Sequence, residues 1–165
     1  MPHQSNLLFR HPLADEGLII TNLIAANPPL DSNSIYSYYL LCRHFANSCV
    51  VAETAGEIGG FISAYPLPTR PKTLFVWQVV VAPNLRGQRI ARRMLDWLLQ
   101  QPMLRHITQI EATVNPNNIA SRKIFEGVAH DQGTAIDEEL FLPATAFGSD
   151  ASHESEILLR VTLKI

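Results

Sequence analysis

Four arginines, Arg86, Arg89, Arg92 and Arg93, surround the start of one apolar-periodic segment, with Gly87 among them and Pro83 just before. Ile90, Met94, Trp97 and Leu98 follow at helical spacing, which predicts that the cluster opens a helix with one inward face. Cations are disfavoured there, because the macrodipole already makes a helix N-terminus positive. An anion would reverse the penalty: helix-start amides, a glycine that lets a ligand approach and surrounding guanidiniums make a site for phosphate or pyrophosphate. A solvated, arginine-rich helix face is the other reading, and spacing alone does not separate the two.

Three further groups carry chemistry. His153, Glu154 and Glu156 place an imidazole and two carboxylates near the C-terminal end, where no second ligand pair is spaced to complete a metal site and a polar edge strand is the ordinary alternative. Tyr36, Tyr38 and Tyr39 put hydroxyls on more than one face of one segment, so one of them is expected to look into a cavity. Asp31 or Ser32, just before, can cap that segment as a helix. Cys42 and Cys49 are too few and too ordinary in spacing for a metal or disulfide framework, and read as buried thiols.

The elements that must position these groups follow from patterning. Residues 74–81, rich in β-branched and aromatic types, read as a buried strand that Pro83 ends, and the stretch from Leu85 to near Gln100-Gln101-Pro102 as the helix after a tight turn. Upstream, Leu7 to Arg10 suggest a short strand, residues 13–25 a helix ended by Asn27-Pro28-Pro29, and residues 30–45 a second helix. Residues 49–53 and 59–65 form two strands around an Ala55-Gly56-Glu57 turn, and Pro66, Pro68 and Pro71 stiffen the following loop. Downstream come a strand over 107–114, a helix from Ile119, a loop at Phe147-Gly148-Ser149-Asp150 and a closing strand over 153–161. At 165 residues and 47% hydrophobic the chain has room for one core, so a single domain over 1–165 is expected. A net charge of −2 argues against a general nucleic-acid binder, and the lack of a membrane-length apolar run or signal-peptide pattern makes a soluble cytoplasmic protein the default.

Val81-Ala82-Pro83-Asn84-Leu85-Arg86-Gly87-Gln88-Arg89-Ile90-Ala91 resembles the acetyl-coenzyme A motif of the GNAT superfamily of N-acetyltransferases, Arg/Gln-x-x-Gly-x-Gly/Ala. Arg86 and Ala91 match its ends, while Arg89 replaces the central glycine. Asn118, Ser121 and Phe125 fall on a second family frame, Asn-x-x-Ala/Ser-x-x-x-Tyr/Phe. The resemblance implies a mixed α/β fold: a mostly antiparallel sheet, splayed between the strands ending near Val81 and Val114, with helices on both faces. It also implies acetyl-CoA as co-substrate, with no metal. Val79, Val80 and Val81 would pair with pantetheine like an extra strand, and an amide near Val79 or Val80 would hold the oxyanion. Arg86, Gly87, Gln88, Arg89, Ile90 and Ala91 would take the pyrophosphate. Asn118 would contact the pantetheine arm, with a helix cap as its alternative. Phe125 stands where the family's tyrosine is often proposed to protonate the departing thiolate, and it has no hydroxyl. A thiol pKa of about 8.5 makes that loss tolerable, and water can supply the proton.

Blocks across nearly the whole chain, among them Pro28 to Ser34 with Tyr36 and Tyr38, Leu41-Cys42-x-His44-Phe45, Leu74-Phe75-Val76-Trp77-Gln78-Val79 and His153-Glu154-x-Glu156, resemble the diaminobutyrate acetyltransferase family of ectoine synthesis. That resemblance implies acetyl transfer to the 4-amino group of L-2,4-diaminobutyrate, and a homodimer. Carboxylates and aromatic faces hold an ammonium, and Asp31, Tyr36, Trp77, Glu154 and Glu156 offer that set, with Tyr38 and His153 ranked lower. A core indole is the alternative for Trp77. The attacking amine, with a reference pKa of roughly 10, must lose a proton first. Glu156 or Glu154, then Asp31, then His153 are the candidate bases, and Glu111 reads as structural. A GNAT enzyme for another small amine, and a non-catalytic acyl-CoA sensor suggested by Arg89 and Phe125, remain alternatives.

Overall fold

The computed structural model describes residues 6–28, 30, 33–149 and 152–164. The elements run β1 (Leu8–Arg10), α1 (Gly17–Ala25), α2 (Ile35–His44), β2 (Val50–Thr54), β3 (Glu57–Leu67), β4 (Arg70–Val81), α3 (Ile90–Leu99), β5 (Gln109–Val114), α4 (Ile119–Gln132), β6 (Ile136–Leu142) and β7 (Glu156–Thr162). The strands form an open sheet in the order β1-β2-β3-β4-β5-β7-β6. The pairs β1–β2, β2–β3, β5–β7 and β6–β7 are antiparallel and β4–β5 is parallel. Two compact units result: residues up to 65 with 78–105, and residues 66–77 with 106 onward.

In the first unit β1 pairs β2 from Leu8↔Glu53 to Arg10↔Val51, and β2 pairs β3 through Val51↔Phe61. The connecting turn uses Ala55 and Gly56 at φ 52° and 82°, the positive values that a tight hairpin turn requires. Ile20, Ile24, Tyr38, Leu41, Cys42, Val51, Phe61 and Val80 build the core. Helix α1 begins at Gly17 rather than near Leu13, because Glu16 is used elsewhere. Its carboxylate accepts from the Leu13 N–H at 2.7 Å and from Arg10 at 2.6 and 3.0 Å, while Arg10 Nε donates to Glu53 at 2.8 Å. Helix α2 begins at Ile35, and its cap is Ser34, whose hydroxyl oxygen accepts from the Ser37 N–H. Asp31 and Ser32 lie outside the described residues. A side chain at Gly17 would meet the Tyr39 ring at 2.7 Å, so α1 and α2 approach closely only because position 17 is bare.

Helix α3 also starts later than its arginines suggest. Residues 86–89 form a turn, leaving only Arg92 and Arg93 in the helix. Ile90, Met94, Leu95 and Leu98 are its buried face, and Trp97 instead sits edge-on to the His11 ring at 5.0 Å.

In the second unit β4 and β5 run parallel in register from Thr73↔Gln109 to Phe75↔Glu111. The expected proline loop is only a turn at residues 68–69: Pro66 lies within β3 and Pro71 within β4. Proline is tolerated in a strand where its missing N–H is not needed by a neighbour. Strand β6 has no counterpart among the sequence expectations, because Asp137, Glu138 and Glu139 interrupt any apolar alternation; it is an edge strand beside β7. Strand β7 starts at Glu156, so His153 and Glu154 precede it. Helix α4 buries Phe125, Val128 and Ala129 and ends on Gly133 at φ 60°.

Glu111, 1% exposed, accepts from Arg70 at 2.6 and 2.9 Å and from Arg160 at 2.7 Å, the residue directly opposite it on β7. Burial pushes its carboxyl up, but the two guanidiniums outweigh burial and hold it below the usual carboxylate range. Its contribution to stability is therefore complete above about pH 4.3 and is lost as pH falls through the lower folded-state pKa. Glu111→Gln should cost about 2 kcal/mol at pH 7, less than a fully buried pair because both arginines are partly exposed. In denaturant melts the gap between Glu111→Gln and the unmodified chain should be constant above about pH 4.3 and narrow progressively as pH falls further; a gap that does not change with pH through the acid limb would refute the assignment.

A Cβ at Gly59 would lie 2.6 Å from Leu85 Cδ1. Gly59→Ala should therefore lower stability by about 1 kcal/mol, the low end for overpacking because only the Leu85 methyl has to shift, read as a change in the urea midpoint at unaltered slope.

Candidate active site

The segment that leaves β4 and enters α3 is held in the first unit from several directions. The Ala82 N–H donates to the Gly59 carbonyl at 2.7 Å, and the N–H groups of Leu85 and Arg86 close back on the Ala82 and Pro83 carbonyls. Leu85 is buried, packed over Gly59. Arg86 Nε donates to the Val81 carbonyl at 3.2 Å, and its Nη2 donates to Asn27 Oδ1 at 2.9 Å. The chain then turns through Gly87 at φ 78° and Arg89 at φ 56°. Arg89 thus adopts the left-handed conformation that glycine takes without steric cost, at a cost of about 1–2 kcal/mol. It is the N-cap of α3 and makes no side-chain capping bond, so the first helical amides have no partner from that side chain.

The four arginines separate into different roles. Arg86 braces the turn, Arg92 Nε donates to Asp96 at 2.8 Å, and the Arg93 guanidinium lies 5.4 Å from the Phe9 ring centroid. Arg89, Gly87 and Gln88 are exposed, next to buried Ile90 and half-buried Ala91. An uncapped helix start with a bare glycine and an exposed guanidinium fits a diphosphate.

Along β4 burial alternates: Val76, Gln78 and Val80 are buried, Val79 and Val81 half-buried, and Trp77 is 39% exposed. The core alternative for Trp77 is therefore excluded. Gln78 accepts from the Tyr38 hydroxyl at 3.1 Å, and that hydroxyl accepts from Asn33 Nδ2 at 3.4 Å. Tyr38 is fully buried, the tyrosine whose hydroxyl points inward, whereas Tyr36 is 69% exposed. Asp31 lies outside the described residues.

In the second unit His153 stacks on Phe147 with ring centroids 4.2 Å apart, and Glu154 accepts from Asn117 Nδ2. Glu156 is half-buried at the first position of β7. Asn118 Oδ1 caps α4 by accepting from the Ser121 N–H at 3.1 Å, which leaves its amide nitrogen for other use. Phe125 is 1% exposed. In the sequence Asn27 reads only as part of a helix stop, and Gln78 and Asn117 have no assigned role; buried amides such as Asn27 and Gln78 carry no periodic signal.

Burial pushes the Cys42 thiol up to about 11 and the Cys49 thiol up to about 12, so both are protonated at neutral pH and poor nucleophiles. Glu111, committed to two arginines, is equally unsuited to proton transfer. No group of three His, Cys, Asp or Glu side chains able to hold a metal occurs among the described residues.

Residues 19–128 match the family model described as acetyltransferase (GNAT) family. The chain is 48% identical over 153 residues to an L-2,4-diaminobutyric acid acetyltransferase of Bordetella parapertussis, covering 92% of this chain and 82% of that protein. It is 43% identical over 150 residues to that of Methylotuvimicrobium alcaliphilum, covering 91% and 87%. Among solved structures, diaminobutyrate acetyltransferase EctA from Paenibacillus lautus, in complex with its substrate L-2,4-diaminobutyric acid and coenzyme A, superposes with a TM-score of 0.92 at 39% identity, covering 96% of this chain and 95% of that one. The chain belongs to the acetyltransferase (GNAT) family, and within it to the L-2,4-diaminobutyric acid acetyltransferases.

Proposed function

We propose that this chain transfers an acetyl group from acetyl-CoA directly to the 4-amino group of L-2,4-diaminobutyrate, giving N4-acetyl-L-2,4-diaminobutyrate, the precursor cyclised to ectoine. The observation that carries this reading is the near-complete structural match to an enzyme bound to that substrate and to coenzyme A. Residues 1–165 would act as one acetyltransferase domain, since the matched segment 19–128 includes parts of both compact units.

Acetyl-CoA supplies an activated acyl group as a thioester. The uncapped start of α3, Gly87, Gln88 and the exposed Arg89 would hold its diphosphate, with Ile90 and Ala91 beginning the helix behind them. Val79, Val80 and Val81 would pair with its pantetheine, and Asn118 would offer it the amide nitrogen that its capping bond leaves over. An amide near Val79 or Val80 would steady the tetrahedral oxyanion.

On the acceptor side the exposed ring faces of Trp77 and Tyr36, with Asp31, Glu154 and Glu156, would hold the ammonium groups. Tyr38 would act from behind, through Gln78, rather than by touching substrate. Glu156 or Glu154 would accept the proton, with Asp31 and His153 next. The Asn117 bond fixes one Glu154 oxygen, and the Phe147 ring fixes the His153 plane. Phe125 contributes no proton, so water would protonate the thiolate. With both thiols buried and protonated, attack needs no acetyl-cysteine intermediate.

Purified protein given acetyl-CoA and L-2,4-diaminobutyrate should form a product with a single acetyl on the 4-nitrogen, and should act on spermidine at least tenfold more slowly. Initial-rate double-reciprocal plots should intersect. Acetylation of the 2-nitrogen, or equal rates on spermidine, would refute the acceptor, and parallel plots would refute direct transfer.

No helix among the described residues is long and apolar enough to cross a membrane. By analogy with the family we propose a homodimer, and a cytoplasmic location. Sedimentation at micromolar concentration should give twice the 18.4 kDa chain mass; the single-chain mass alone would exclude the dimer.

A further inference from the structure

We infer that Asn27 is a positioning residue for acetyl-CoA binding, acting through Arg86. The inference rests on the proposed cofactor role of residues 87–91.

Asn27 follows the last turn of α1 and is 5% exposed. Both ends of its amide are engaged. Nδ2 donates to the Leu23 carbonyl at 2.7 Å, closing the end of the helix, and Oδ1 accepts from Arg86 Nη2 at 2.9 Å. Its own N–H donates to the Ile24 carbonyl at 3.0 Å, so backbone and side chain are both anchored to α1. Arg86 reaches the other way as well, with Nε on the Val81 carbonyl at 3.2 Å. One guanidinium therefore joins three points: the end of β4, the end of α1 and the first residue of the turn that carries Gly87 and Arg89.

Past Arg86 the hydrogen bond that spans the turn is a long one, from Gln88 Nε2 to the Asn84 carbonyl at 3.5 Å. Gly87 adopts a positive φ with nothing within 4 Å of where a Cβ would stand, and α3 starts without a side-chain cap. Amides bind an anion well only when their positions are set before it arrives, because the ordering of a loose turn otherwise opposes binding. The planar fork of arginine suits the bracing task, since two donors leave it in fixed directions. A lysine would keep the positive charge but has no such fork, and cannot reproduce both directed bonds. Arg86 is thus used as a strut rather than as a point charge, and the buried oxygen of Asn27 is its fixed end.

Calorimetric titration of the full chain with coenzyme A distinguishes the two uses. Asn27→Ala and Arg86→Lys should each raise the Kd roughly fivefold, the effect of about one lost hydrogen bond. The double variant should bind no more weakly than the weaker single one, because each change breaks the same link. The KM for acetyl-CoA should rise in step, while kcat falls by less than about twofold. Arg86→Lys lies at an exposed position and keeps the test available should Asn27→Ala fold poorly. Coenzyme A binding by Arg86→Lys as tight as that of the unmodified chain, or losses that multiply in the double variant, would overturn the inference. An unmodified chain that binds coenzyme A but does not acetylate diaminobutyrate would instead refute the acceptor and leave this comparison standing.

Discussion

The first unit depends on one absence of bulk. Leu85 occupies the space that any side chain at position 59 would need, with only 2.6 Å between its methyl and a Cβ built on Gly59. Beside that contact the Ala82 N–H donates to the Gly59 carbonyl at 2.7 Å, joining the chain that leaves β4 to β3. The turn is then fixed from beneath by Leu85 and from the side by Arg86, and its glycine and uncapped helix start carry no packing duty. Up to Arg86 the segment is held by its own amides, those of Ala82, Leu85 and Arg86, and beyond it the proposed diphosphate site would be left with amides to offer.

Charge follows a similar division. The carboxylates that are well buried, Glu16 and Glu111, are each gripped by arginine and hold elements in place: Glu16 joins β1 to the start of α1, and Glu111 joins β5 to β7 and to the start of β4. In both, burial alone would favour the neutral acid, and the guanidiniums reverse it. Carboxylates proposed for proton transfer sit elsewhere, at the more accessible Glu154 and Glu156. A base must be able to change its charge, and one locked between two arginines cannot do so near neutrality.

Much of the fold was legible because it is written in local patterns. The β-branched run before Pro83 placed β4, the 3.6-residue period placed α3, and Asn118 opens α4 with capping chemistry that any isolated helix would use. The errors fall where a side chain was claimed by a distant partner. Glu16 is held by Arg10 and so leaves α1 to start at Gly17, and the arginines before Ile90 belong to a turn braced against α1. Strand β6 escaped notice because its three acidic residues suit an edge strand, and an edge shows no alternation between core and solvent. Asn27 and Gln78 escaped for a related reason: a buried amide is recognised by its partners, which lie tens of residues away along the chain.

What the sequence by itself determined is the chemistry on offer: the glycine and arginine pattern after β4, the aromatic and acidic residues suited to an ammonium, and thiols too few to build a framework. Residue type and near-neighbour spacing are enough for these, since propensity, capping and periodicity act over a few residues. Only the tertiary structure decided how those groups are used. It turned Trp77 outward and Tyr38 inward, and tied Arg86 to the Val81 carbonyl and to Asn27. The physical reason is that burial and the choice of hydrogen-bond partner are set by contacts far apart in sequence, and these govern whether a polar side chain supports the fold or faces a ligand.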